Sequence, residues 1–222
     1  MTLWAPDGVV DSAPLPLLAV HDGPAYKDEG ELTTVAAGLI DAGRAPAFRI
    51  ALLHPGRREE WYSASALYAR ALVEEVLPAV GERVAVAGAP VGVGASLGGL
   101  AMLHAQRRYP RAFAGLFLQS SSFFMPRFDH MEKDFPRYGR IVRFVRTLVG
   151  AAAADHPVPT MLTCARDEDN VHNNRRVAAA LKLQGYPTEL VETAGGHDFP
   201  TWHAVLDPHL GDLVSAAARR SD

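Results

Sequence analysis

The sequence has very little cysteine, which limits the chemistry it can carry. Cys164 is the only cysteine among 222 residues, so no disulfide can form within the chain. It lies in the apolar run TMLTCA, which favours a buried thiol that packs as a small hydrophobic side chain over a nucleophile. The nine histidines are scattered without the spacing of metal ligands. The sequence therefore predicts no disulfide, no cysteine chemistry, no metal site and no cofactor.

Long apolar runs and an excess of charge of one sign are also missing. No stretch reaches the ~20 consecutive apolar residues of a membrane span, and the opening MTLWAPDGVV lacks the basic start and apolar run of a secretion signal. The formal net charge of -3 gives no electrostatic reason to expect nucleic acid or an anionic membrane surface as a partner. These absences predict a cytoplasmic protein whose partner is a small molecule.

What is present is an alternation of short apolar runs with longer helical patterns, without repeats or linkers. Runs apolar on both faces are typical of parallel strands covered by helices on each side. The sequence predicts strands at 14–21, 48–54, 91–96, 113–120, 160–165 and 188–193, with a further strand at 83–89 that could form a hairpin with the 91–96 strand. Helical patterns occupy 64–80, 98–110 and 173–185. Residues 1–222 are therefore predicted to form a single α/β domain with a mainly parallel sheet.

The segment 123–150 departs from this alternation, because it is a long connection rich in aromatic residues and arginine. Two interpretations stay open. In the first it is a surface excursion whose helix exposes Arg140, Arg143 and Arg146 to water. In the second it is a small cap over a site, with aromatic walls formed by Phe123, Phe124 and Phe128 and with arginines facing a polar or anionic substrate.

Ser96 is the first candidate catalytic residue. It lies in GASLGG, a match to the pattern G-x-S-x-G, directly between a predicted strand and a predicted helix. A serine at such a turn takes a strained backbone conformation that lifts its hydroxyl above the sheet edge, and the following helix directs its amino terminus at an oxyanion. The pattern in this context predicts a nucleophile.

A nucleophilic serine needs a base and an acid in loops after later strands. His197 follows the strand at 188–193 in the loop AGGHDF, and three carboxylates, Asp167, Glu168 and Asp169, follow the strand at 160–165. The order serine, acid, histidine is that of the α/β-hydrolase class.

With these residues in view, the chain from about 15 to 215 resembles the putative esterase family of α/β-hydrolases, which includes enterochelin-esterase-like siderophore hydrolases, feruloyl esterases and esterase D. The similar stretches are LLAVHDGPAY, HPGRREEWYSAS, GASLGGLAML, YPRAFAGLFLQSSSFF and GGHDFPTW. The resemblance implies an α/β-hydrolase fold and an ester substrate.

The resemblance also implies roles for individual residues. The family's acid follows a glycine by three residues, and the same offset from Ala165 favours Glu168, with Asp167 and Asp169 as alternatives. It implies an oxyanion hole formed by the amides of Leu97 and Gly23, and a structural pair of Arg57 with Glu60.

The sequence and the resemblance together predict a serine esterase that works through an acyl-enzyme. Ser96 attacks the ester, His197 serves as base and then acid, and Glu168 orients the imidazole. The predicted pocket walls are Tyr26, Phe123, Phe124 and Trp202. An acyltransferase, a thioesterase with the same triad, and a non-catalytic binding protein on the same fold remain alternatives.

Overall fold

The computed structural model describes residues 1–219, whose strands form one sheet. The strands are β1 (Thr2–Trp4), β2 (Leu17–Val20), β3 (Arg49–Leu52), β4 (Val91–Ala95), β5 (Gly115–Gln119), β6 (Thr160–Ala165) and β7 (Thr188–Thr193). Their order is β1-β3-β2-β4-β5-β6-β7. β1 runs antiparallel to β3, and all other neighbouring strands are parallel. The predicted α/β fold with a mainly parallel sheet is confirmed.

Helices cover both faces of this sheet. They are α1 (Gly23–Asp28), α2 (Leu32–Asp41), α3 (Arg58–Tyr62), α4 (Ala66–Ala71), α5 (Leu77–Gly81), α6 (Leu97–Arg108), α7 (Tyr138–Gly150), α8 (Val171–Leu183), α9 (Phe199–His203) and α10 (His209–Ala218). A π-helical turn, Leu72–Val76, joins α4 to α5, and a 3-10 turn spans His130–Asp134. None of the helices within residues 1–219 is long and apolar enough to cross a bilayer.

The sheet separates two hydrophobic cores, which is why its central strands are apolar on both faces. The side chains of β2, β3, β4 and β5 are buried throughout. One core packs α6, α7 and α8 against the sheet, and the other packs α2 and α10 against the opposite face. Burial of a leucine-sized side chain stabilises the fold by about 1.5 to 3 kcal/mol, so these two cores fix the strand positions.

The structure corrects two details of the predicted sheet. β1 was not expected, and the predicted strand at 83–89 is wrong: that segment makes a single bridge between Leu15 and Val86. Two carbonyl groups of the segment 10–13 accept hydrogen bonds from a buried arginine side chain. The Arg49 guanidinium donates to the carbonyls of Val10, 2.7 Å away, and Ala13, 3.0 Å away. A side chain thus satisfies backbone groups that a strand ladder would otherwise pair.

Three non-glycine residues at the carboxyl edge of the sheet have positive φ angles. Asp22 follows β2 with φ 53°, Ser96 follows β4 with φ 55°, and Ser120 follows β5 with φ 44°. This conformation is unfavourable for side chains with a Cβ and persists where packing enforces it. Because β4 and β5 are adjacent and parallel, Ser96 and Ser120 leave the sheet at neighbouring points of one edge.

The imidazole of His21, directly after β2, packs between this edge of the sheet and the helices α3, α4 and α6. It is fully buried, stacks on Tyr62 at 4.3 Å between ring centroids, and lies 2.7 Å from the Tyr68 hydroxyl through Nε2. Its Nδ1 lies 2.9 Å from the carbonyl of Gly98 in the first turn of α6. Since a carbonyl can only accept, Nδ1 carries the hydrogen and Nε2 accepts from Tyr68. Burial lowers the pKa of His21 to about 4.

The segment 123–150 combines features of both interpretations. Arg143 and Arg146 are exposed on α7, whereas Ile141, Val145 and Leu148 are buried against the core. Arg140 does not face water freely, because it donates to a carboxylate oxygen of Glu60 at 2.9 Å.

Glu60 is also bonded to Arg137, so the expected pair of Arg57 with Glu60 is wrong. Both partners of Glu60 belong to the 123–150 segment, which is far along the sequence from α3. Glu60 therefore tethers this segment to α3.

The close approach of β4 to α6 predicts a strict requirement for Gly94. A Cβ at Gly94 would lie 2.5 Å from the carbonyl carbon of Gly98, so Gly94→Ala is expected to lower the free energy of unfolding by at least about 2 kcal/mol. Gly38, in α2, has open space around its Cα, and Gly38→Ala is expected to stabilise by up to about 1 kcal/mol. Urea unfolding of both variants tests the packing; equal stability of the two would contradict it.

The neutral, buried His21 predicts a loss of stability in mild acid. Its pKa is lower in the folded than in the unfolded chain, so the unfolded state takes up the proton first as pH falls from about 6.5 toward 4. A shift of this size removes about 3 kcal/mol of stability across that window. Urea unfolding at pH 7 and pH 4.5 should show a smaller pH-dependent loss in His21→Gln than in the wild type. Burial also lowers the pKa of His104 to about 4, and His104 contributes the same pH-dependent loss of stability in both proteins. Equal losses in the two proteins would show that His21 is not the titrating group.

Candidate active site

Ser96 stands on the turn between β4 and α6. Its backbone angles are φ 55° and ψ -125°, and its amide donates to the carbonyl of Gln119 on β5 at 2.8 Å. The Ser96 hydroxyl lies 3.0 Å from that of Ser122, whose own amide donates to the Ser96 carbonyl. The strained turn is therefore fixed from the neighbouring strand end, and the Ser96 side chain projects at the carboxyl edge of the sheet.

His197 and Glu168 form a bonded pair across the ends of β6 and β7. The Nδ1 of His197 lies 2.7 Å from Oε2 of Glu168. The Glu168 side chain is only 3% exposed, whereas that of His197 is 43% exposed. Of the three carboxylates in this loop, Glu168 is the one that contacts His197; Asp167 and Asp169 are exposed at the rim.

Glu168 is also bonded on its other oxygen. Oε1 accepts from the Ser120 hydroxyl at 2.6 Å and from the Ala165 amide at 2.9 Å. Burial pushes the pKa of Glu168 upward, but the hydrogen bonds from His197, Ser120 and Ala165 outweigh burial and leave that pKa below its ordinary value. The carboxyl group is therefore ionised at neutral pH.

One cleft of about 490 Å³ brings these groups together. Ser96, Leu97, Glu168 and His197 line it, and the 123–150 segment supplies much of the remaining surface. The aromatic side chains on this wall are Phe124, Phe128 and Phe135. A volume of this size lies within the range of small-molecule sites.

The structure does not place all predicted wall residues on the cleft. Tyr26 and Phe123 are 1% and 0% exposed, so both belong to the core. The Tyr26 hydroxyl donates to Gln119 at 2.8 Å. Phe124 does line the cleft. Trp202 does not line it; its ring packs edge-on against the His197 ring, with 5.2 Å between the ring centroids.

The expected role of Gly23 in the oxyanion hole is also corrected. Its amide donates to the carbonyl of Leu53 at 2.8 Å, which extends the pairing of β2 with β3 and leaves no hydrogen for a substrate. The amide of Leu97, at the first position of α6, has no backbone hydrogen-bond partner in the part of the chain that the structure describes.

Sequence reasoning missed Arg58, which lines the same cleft as Ser96. Its Nε and Nη2 atoms donate to the Asp22 carboxylate at 2.9 to 3.0 Å. Arg58 lies in the RREE stretch, where the resemblance implied only a structural pair of Arg57 with Glu60 and gave Arg58 no role. Ser120 and Ser122 were present in the QSSSFF stretch without an assigned role.

Comparisons with known proteins show that the chain is similar in sequence to esterases. An iron(III) enterobactin esterase of Dickeya dadantii is 28% identical over 228 residues, covering 96% of this chain and 52% of that protein. An acetyl esterase of Caldicellulosiruptor saccharolyticus is 26% identical over 132 residues, covering 51% of this chain and 50% of that protein. The chain thus spans about half the length of these relatives.

Solved structures share the fold at lower identity. The enterobactin esterase of Shigella flexneri, solved in the presence of enterobactin, superposes with a TM-score of 0.76 at 20% identity, covering 98% of this chain and 53% of the other. A ferulic acid esterase superposes with a TM-score of 0.75 at 20% identity, covering 94% and 87%. The family model described as "Putative esterase" matches residues 3–213. The chain therefore belongs to the putative esterase family.

Proposed function

We propose that this protein is a serine esterase with Ser96 as nucleophile, His197 as base and Glu168 as the orienting acid. The observation that carries the proposal is the 2.7 Å pair of His197 with an ionised Glu168 in the same cleft as a serine on a strained strand-to-helix turn. The names of the relatives, which are esterases, support the same reaction class.

The bonded pair determines which nitrogen takes up the proton. Because Glu168 is ionised and can only accept, Nδ1 of His197 carries a hydrogen and Nε2 is free to remove the proton of Ser96. The serine oxygen then bonds to the ester carbonyl carbon, and His197 returns the proton to the leaving alcohol. Water then enters, His197 takes one of its protons, and the water oxygen bonds to the acyl carbon. The bond from that carbon to the Ser96 oxygen breaks, and His197 returns the proton to this oxygen as the acid product leaves. Glu168 stabilises the imidazolium in both halves of the reaction.

The oxyanion needs donors near Ser96. The Leu97 amide is one, and the amino terminus of the twelve-residue helix α6 adds a favourable dipole. Since the Gly23 amide is already bonded, we assign the second donor to Arg58. The Nε and Nη2 atoms of Arg58 donate to the Asp22 carboxylate, and Nη1 has no hydrogen-bond partner among residues 1–219.

The cleft wall favours esters with an aromatic or other apolar group. Phe124, Phe128 and Phe135 offer flat apolar surface within a cleft of about 490 Å³. The proposed substrate class is therefore a carboxylic ester that places such a group against the 123–150 segment, with the carbonyl at Ser96. Relatives named for enterobactin and ferulic acid are consistent with this class.

Hydrolysis of p-nitrophenyl acetate tests the mechanism. We expect the folded wild type to turn over, Ser96→Ala to lose at least about 1,000-fold in kcat, and Glu168→Gln to lose about 100-fold or more, because the imidazole is no longer held in the required tautomer. Asp167→Asn and Asp169→Asn are matched controls in the same loop and should stay within a few-fold of wild type. Activity that survives in Ser96→Ala would overturn the mechanism.

The role of Arg58 gives a second prediction. Arg58→Met should lower kcat about 10- to 100-fold with a smaller change in KM, because the donor acts mainly on the charge of the transition state. Arg57→Met removes an exposed neighbouring arginine and should have little effect. Equal kcat values for the two variants would remove Arg58 from the proposed oxyanion site.

A further inference from the structure

Behind Glu168 lies a chain of buried hydrogen bonds that the reaction described above does not use. The indole Nε1 of Trp202 donates to the Ser120 hydroxyl at 3.0 Å, and that hydroxyl donates to Oε1 of Glu168 at 2.6 Å. Ser120 is fully buried and Trp202 is 8% exposed. The contacts join the end of β5, the loop after β6 and helix α9, three elements that are distant in the sequence.

The direction of each hydrogen bond in this chain is fixed by chemistry. An indole N–H can only donate, so the Ser120 oxygen accepts from Trp202 and its single hydrogen goes to Glu168. The same carboxylate oxygen accepts from the Ala165 amide, which also only donates. Oε1 thus faces two donors, and Oε2 is the oxygen directed at His197.

Trp202 contacts the other member of the pair as well. Its ring meets the His197 imidazole edge-on, at 5.2 Å between centroids and an interplanar angle of 83°. The position of Trp202 is itself fixed, because the Gln119 side chain donates to its carbonyl at 2.9 Å. One residue therefore touches the base through its ring and the acid through Ser120.

We propose that Trp202 and Ser120 are positioning residues that orient Glu168 toward His197 and so set the geometry of the catalytic pair. This inference rests on the proposed function, since it assigns how the triad is held. Both residues act through Glu168 and His197 and neither touches the reacting atoms. The positive φ of Ser120 is the backbone cost of directing its hydroxyl at the carboxylate.

The inference has a pH consequence. Removing a donor from the Glu168 carboxylate raises the pKa of that group, so protonation of the pair begins at higher pH. Arg58, Asp129 and Glu132 line the same cleft as the pair. Asp167 and Asp169 flank Glu168, Asp198 follows His197, and the Cys164 thiol of β6 stays neutral because burial raises its pKa to about 12.

Three variants separate positioning from general stability. Ser120→Ala removes the donor to Glu168, and Trp202→Phe removes the indole N–H and keeps an aromatic ring. The control, Tyr186→Phe, removes a buried hydroxyl outside this chain of bonds, which donates to Gln106 at 2.7 Å. We expect the acidic limb of the kcat/KM profile for p-nitrophenyl acetate to move up by about one pH unit in Ser120→Ala and by less in Trp202→Phe. The double variant should match Ser120→Ala, because Trp202 acts through Ser120. Tyr186→Phe should leave the limb in place.

A second measurement does not depend on activity. The downfield proton resonance of His197 Nδ1–H, assigned by its disappearance in Glu168→Gln, should shift or broaden in Ser120→Ala and Trp202→Phe and persist unchanged in Tyr186→Phe. If the resonance and the pH profile stay unchanged in both variants, or only the melting temperature falls, the inference is wrong. A wild type without esterase activity would refute the proposed function, while the resonance would still test the positioning.

Discussion

The hydrogen-bonded carboxylate of Glu168 is the interaction on which the candidate site depends. It receives donors from Ser120 after β5, from Ala165 at the end of β6 and from His197 after β7. Adjacent parallel strands end at one edge of the sheet, so three distant parts of the chain meet within hydrogen-bond distance of one side chain. A buried charge without these donors would cost several kcal/mol, which makes the carboxylate and its surroundings mutually dependent.

The same edge carries the strain that the site requires. Asp22, Ser96 and Ser120 all adopt positive φ where β2, β4 and β5 end. The turns direct the Asp22 side chain to Arg58 and the Ser120 side chain to Glu168, and they leave the Ser96 side chain on the cleft. Two hydrophobic cores, one on each face of the sheet, hold the strands in register against this strain.

Much of the fold and part of the site follow from the sequence. Alternating apolar runs predicted six of the seven strands, and the loops after those strands predicted which residues come together at the carboxyl edge. The sequence did not reveal the direction of individual groups: the amide of Gly23 pairs with a neighbouring strand, and Tyr26 and Phe123 turn into the core. The strand expected at 83–89 is reduced to one bridge, between Leu15 and Val86, and the buried Arg49 side chain donates to the carbonyls of Val10 and Ala13. These features depend on tertiary packing, and no local sequence pattern indicates them.

Covalent labelling with a fluorophosphonate tests the central claim most directly, because it reports activation of the serine without requiring the natural substrate. The account predicts one adduct, mapped by mass spectrometry to Ser96 and absent from the neighbouring Ser122, with a labelling rate at least about 100-fold lower in Glu168→Gln. An adduct on another serine, or an unchanged rate in Glu168→Gln, would contradict a Ser96 nucleophile activated through the Glu168–His197 pair.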